Sequence, residues 1–81
     1  MIKYYRITAK TPYCGEDNDY YIATDSYDEL MRFASDCVDD NANEWYTGND
    51  SNYPEWDDFL GDCFCNIDEI TKEEFEMEAF I

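Results

Sequence analysis

Carboxylates are the residues of this chain best placed to do chemistry, and their spacing is helical. Over the stretch from Ser26 to Tyr46, a turn of about 100° per residue gathers Asp28, Asp36, Asp39 and Asn43 on one side. Asp40 and Glu44 lie at the flanks, and Arg32 is the only cation among them. Glu55, Asp57, Asp58 and Asp62 form a second cluster, and Glu16, Asp17 and Asp19 a third. Carboxylates so arranged can bind a hard cation, act as an acid–base pair, or meet the cationic side chains of a partner. Calcium needs a loop with the D-x-[DN]-x-[DN]-G pattern and a distal Glu, which neither Asp17-Asn18-Asp19 nor Asp50-Ser51-Asn52 supplies. Acid–base catalysis needs a cleft that shifts pKa values, and a chain of 81 residues leaves little room for one. There is no His, no Gly-rich phosphate loop and no nucleophile elbow, so the expectation is a protein that is not an enzyme.

The thiols offer a second chemistry. Cys63 and Cys65 stand two apart on what reads as a strand, which would point them the same way, and Cys14 sits in a turn able to approach them. Zinc knuckles use C-x₂₋₄-C spacing with Cys or His. C-x-C is too short for that, and Cys37 falls on an apolar helix face. Core thiols are the expected state, with a metal-binding or redox module on Cys14, Cys63 and Cys65 as the alternative; no cofactor is expected.

These groups must be carried by secondary structure. Ser26 and Glu29 have the S-x-x-E spacing of a capping box, and Leu30, Phe33, Ala34, Cys37, Val38 and Trp45, with Asn41 among them, make the core face of one long helix. Ile2–Lys10 reads as a strand whose Tyr5, Ile7 and Ala9 face is the more apolar. After the Thr11–Gly15 turn and a loop at Glu16–Asn18, Asp19–Thr24 reads as its hairpin partner. Pro54 suits the first turn of a short helix in which Trp56, Phe59 and Leu60 face inward, Asp57 and Asp58 outward, and which Gly61 ends. Asp62–Ile70 reads as a third strand. From Thr71 two periods compete: Thr71 and Glu74 repeat the capping box, whereas Phe75, Met77, Ala79 and Ile81 alternate as in a strand. A short helix from Lys72 is the preferred reading. The expected fold is a single α+β domain, a small three-stranded antiparallel sheet packed on one main helix with one or two short helices.

Charge narrows the partners. The chain holds 21 acids against five cations, a formal charge of −16, yet 44% hydrophobic content and 15 aromatic rings argue for a folded core. Lys3, Arg6 and Lys10 all precede the first acid, Glu16, so the rest of the chain is almost purely anionic. Such a body repels DNA, RNA and anionic membranes and attracts basic proteins. No apolar run spans a bilayer and no charged-then-apolar leader opens the chain, so a cytoplasmic monomer is expected.

The segments Thr11-Pro12-Tyr13-Cys14-Gly15, Asp62-Cys63-Phe64-Cys65 and Glu69-Ile70-Thr71-Lys72-Glu73-Glu74-Phe75 resemble those of small acidic proteins encoded by bacteriophages and mobile elements. Proteins similar in size, charge and aromatic content include anti-CRISPR and anti-restriction inhibitors, some of which imitate DNA in the channel of a nuclease. The resemblance implies an inhibitor acting in a bacterial host cell on a basic nucleic-acid-binding protein such as a CRISPR nuclease. It assigns no residues, because acidic mimics share charge and not a motif. On charge and exposure the expected contacts are Asp28, Asp36, Asp39, Asp40, Glu44, Asp57 and Asp58, with Tyr46 and Tyr53 as aromatic anchors. The competing readings are the cysteine module, a generic acidic interaction domain, and a self-associating structural protein.

Overall fold

Strand β1 (Lys3–Lys10) is the middle of a three-stranded antiparallel sheet ordered β2-β1-β3, with β2 at Asp17–Thr24 and β3 at Phe64–Ile70. The computed structural model describes residues 1–13, 17–48 and 51–79. Ile7 stands opposite Tyr20 on one side and Ile67 on the other, and Ala9 opposite Asn18 and Cys65. Because side chains alternate across a strand, this register sends Tyr5, Ile7, Ala9, Tyr20, Ile22, Cys65 and Ile67 to one face. That is the face the alternation in β1 marked as more apolar. Ile7 and Ala9 are fully buried there, and removing an Ile side chain from water is worth about 1.5–3 kcal/mol.

The main helix, α1 (Tyr27–Trp45), covers this face. Its apolar stripe is the expected one: Leu30, Ala34 and Cys37 are buried, with Phe33 and Val38 packed beside them. The Glu29 N–H donates to Ser26 Oγ at 3.2 Å, a cap worth about 1 kcal/mol. The Ser26 N–H donates to Thr24 Oγ1 at 3.1 Å, so the group a capping box would assign to Glu29 is met from the end of β2.

Four boundaries differ from the reading of the sequence. β1 begins at Lys3 and not Ile2. β2 begins at Asp17 and not Asp19, because Asp17 and Asn18 continue the ladder opposite Lys10 and Ala9. The second helix, α2 (Trp56–Gly61), ends at Gly61 as read but leaves Pro54 outside, with Glu55 as its N-cap. β3 starts at Phe64, since the Asp62 and Cys63 N–H groups still close the turn of α2 on the Phe59 and Leu60 carbonyls. Cys63 therefore precedes the strand.

The last element, α3 (Lys72–Ala79), settles the competition of periods in favour of helix. Thr71 Oγ1 accepts from the Glu74 N–H at 3.1 Å and donates to Glu74 Oε1 at 3.3 Å. α3 lies against the opposite face of the sheet, with the Phe75 ring 5.1 Å from that of Tyr4 and Glu78 3.4 Å from Arg6. It buries no residue fully.

A second apolar centre forms at the other end of α1. Phe59 of α2 is fully buried, and the rings of Tyr13, Tyr46, Tyr53 and Trp56 surround it at 5.3–6.4 Å. With two small centres in a row, the molecule measures 45 × 26 × 15 Å with a radius of gyration of 14.0 Å. A compact domain of this length would have a radius of about 12 Å, so the shape is that of an elongated plate.

Candidate functional site

The acidic stretch is displayed on the outer side of α1. Asp28, Glu29, Asp36, Asp39, Asp40 and Glu44 are all exposed, and burial of the Leu30–Cys37 stripe fixes which way they face. Arg32 is the one cation of the helix. From position 28 to 44 the helix rises about 24 Å at 1.5 Å per residue, so the six acids average one per about 4 Å. One strand of DNA carries a phosphate per about 3.4 Å of axis. No basic residue lies in the last turn to offset Glu44 at the negative end of the helix dipole.

Two of these acids are held by strand β2. The Tyr20 hydroxyl donates to Asp40 Oδ2 at 3.0 Å, and Asn18 Nδ2 donates to Glu44 Oε2 at 3.1 Å. Burial, the hydrogen bond to Asp40 and the nearby negative charges push the Tyr20 phenol up to about 12. Asn18 Nδ2 also donates to Asn41 Oδ1, and Asn41 Nδ2 donates to the Ala9 carbonyl at 3.2 Å. Asn41 is 1% exposed, and this chain of amides satisfies it where its helical position would otherwise place an apolar residue.

Asp57 and Asp58 are exposed on α2, which adjoins the C-terminal end of α1 through contacts of the Tyr46 ring with Trp56 and Phe59. Tyr46 and Tyr53 are half-buried. Their rings pack on Phe59, the Tyr46 hydroxyl donates to the Pro54 carbonyl at 3.4 Å, and the Tyr53 hydroxyl donates to Asp62 Oδ2 at 2.8 Å. The two tyrosines that sequence nominated as anchors thus build the second apolar centre.

Of the other four cations, Lys72 opens α3 and three lie on the sheet. Lys3 pairs with Glu69 at 3.8 Å, Arg6 with Asp68 at 3.9 Å and Glu78 at 3.4 Å, and Lys10 with Asp17 at 3.4 Å. All three belong to β1, and their partners come from β2, β3 and α3. Burial and a hydrogen bond to Glu78 also raise the Tyr21 phenol. These ion pairs meet Asp17, Asp68, Glu69 and Glu78 and none of the acids on α1; Asp19, Glu73, Glu74 and Glu76 form no ion pair among the described residues. Sequence showed that the cations were clustered; it could not show which acids they meet, because strand pairing is non-local.

Among the described residues the thiols do not form a donor set. Cys63 Sγ donates to the Phe59 carbonyl at 3.3 Å, whereas Cys65, inside β3, packs on the core cluster that contains Cys37. The expectation that Cys63 and Cys65 share a strand face is thereby corrected, since only Cys65 is in the strand. Burial and the neighbouring Cys65, Asp36 and Asp40 push the Cys37 thiol up to about 12, and burial raises both Cys63 and Cys65. Cys14 lies outside the described residues. Among the described residues no group of three or more His, Cys, Asp or Glu could hold a metal ion, and no helix is long and apolar enough to cross a membrane.

The chain matches no family model, no curated protein and no solved structure.

Proposed function

We propose that this protein is an inhibitor that occupies the nucleic-acid channel of a basic partner, such as a CRISPR nuclease or a similar bacterial defence enzyme, by imitating phosphate. The observation that carries the reading is the concentration of carboxylate on α1: the three cations of β1 pair with acids of the sheet and α3, and six exposed carboxylates on α1 have Arg32 alone among them. Density supports it. Six carboxylates and Arg32 over about 24 Å of α1 give one net charge per about 4.8 Å, of the same order as the 3.4 Å of one DNA strand. The mechanism is competition, steered by opposite charge.

Affinity capture from a bacterial lysate at low salt, followed by elution with duplex DNA, tests the proposal. The expected catch is a basic nucleic-acid-binding protein that the duplex releases. Recovery of partners that no nucleic acid displaces would reject mimicry and leave a generic acidic interaction domain.

A further inference from the structure

Asp40 and Glu44 differ from the other α1 acids in being fixed, and the residues that fix them are uncharged. Tyr20 and Asn18 stand two apart on one face of β2, about 6.7 Å along the strand, while Asp40 and Glu44 are four apart on α1, about 6 Å along the helix. The spacings match to within an ångström, so antiparallel strand and helix can be linked twice without distortion: Tyr20 to Asp40 and Asn18 to Glu44. The second link is rooted in the interior, through Asn41 to the Ala9 carbonyl. A lysine in either place would hold the carboxylate equally well and cancel its charge, as Lys10 does to Asp17. Neutral donors hold it and leave the charge intact. Each bond also uses one oxygen only; Asp40 Oδ1 and Glu44 Oε1 make no hydrogen bond among the described residues.

Resting on the inhibitor reading above, we infer that Tyr20 and Asn18 are positioning residues for the partner contact. They present Asp40 and Glu44 as a fixed pair of anionic acceptors to two cationic side chains of the partner about 6 Å apart. Contact is centred on the β2 side of α1, and Asp28, Asp57 and Asp58 contribute field more than contact. Side chains already ordered lose less entropy on binding, which is where the affinity arises.

The test titrates a fluorescein-labelled peptide of nine lysines into the full chain, reading anisotropy for affinity and side-chain carboxyl ¹³C shifts for location. The expected result is shifts largest at Asp40 and Glu44, with binding weakened at least about threefold by Tyr20→Phe or Asn18→Ala, neither of which changes net charge. Thr8→Val removes the comparable 2.8 Å hydroxyl bond to Asp19 on the opposite sheet face and should leave binding unchanged. Tyr20→Phe keeps the ring in the core, so it decides the matter alone if Asn18→Ala fails to unfold cooperatively. Shifts spread evenly over α1, α2 and α3, or Tyr20→Phe binding as the parent does while Asp36→Lys/Asp40→Lys weakens, would overturn the positioning role and spare the inhibitor reading. If Asp36→Lys/Asp40→Lys also binds unchanged, the helix is not the contact face and both fall.

Discussion

Replacing Asn41 by Asp changes one amide to one carboxyl and is the sharpest probe of how α1 is seated. The Asn41 side chain is buried, donates to the Ala9 carbonyl and accepts from Asn18. An ionised Asp there faces the carbonyl with no proton, lies among acids, and is desolvated, so its folded pKa must rise above the unfolded value of about 3.9. Once protonated it can donate to Ala9 and still accept from Asn18, restoring both bonds. The cost is therefore capped by forced protonation, at about 1.4 kcal/mol for each pH unit above 3.9. That is a ceiling of about 4 kcal/mol at pH 7, about 3 at pH 6 and about 1.5 at pH 5. The sign follows from linkage: between the two pKa values the folded state binds more protons, so the variant's stability relative to the parent falls as pH rises. Paired urea denaturations of parent and variant at pH 5, 6 and 7 measure it. Asn41→Leu, which removes the bond to the Ala9 carbonyl at every pH, should show a cost of about 0.5–1.5 kcal/mol that does not vary with pH. A difference between Asn41→Asp and parent that is flat from pH 5 to 7, or below about 1 kcal/mol at pH 7, would mean that position 41 is solvated and the amide chain does not seat the helix.

Two further outcomes test the packing. Phe59→Ala removes the ring at the centre of four others and should cost about 3–5 kcal/mol, a large part of the stability of an 81-residue domain, with loss of near-ultraviolet aromatic dichroism; a cost near 1 kcal/mol would show that the aromatic centre does not act as a unit. Cys37, buried and with its thiol pushed up to about 12, should resist iodoacetamide at pH 8 while Cys63 and Cys65 react, and all should react in urea; Cys37 modified as fast as Cys65 in the native protein would contradict its burial.

What could be read from sequence was local. The Ser26 cap and the Leu30–Cys37 stripe identified α1 because cap and period lie within the segment they describe. At the last element the two periods were equally legible, and the Thr71 cap decided for helix. Reach across the chain was not legible. Asn18 read as loop, although it is a strand residue tied to Asn41 and Glu44, and nothing near it in sequence announces those partners. Asn41 was visible as a polar residue on an apolar face, with no sign that a carbonyl 32 positions away would satisfy it. Tyr46 and Tyr53 were visible as aromatics beside acids, with no sign that both rings would pack on Phe59. The exposed acids were legible because a helix with one buried stripe has only one outer face, while the pairing of Lys3, Arg6 and Lys10 with Asp17, Asp68, Glu69 and Glu78 depended on a strand register no local pattern contains.

The proposed replacement of nucleic acid in a basic channel by the α1 face is competition for one site. Its most direct test is displacement of a labelled duplex from the captured partner by the parent chain and by Asp36→Lys/Asp40→Lys, whose formal charge is −12 (−16 plus four), from about 50 to about 500 mM NaCl. The parent should displace duplex with a potency that falls steeply with salt, and the variant should fail at every salt concentration while its circular dichroism matches the parent. A variant as potent as the parent, or parent potency that does not change with salt, would contradict that competition.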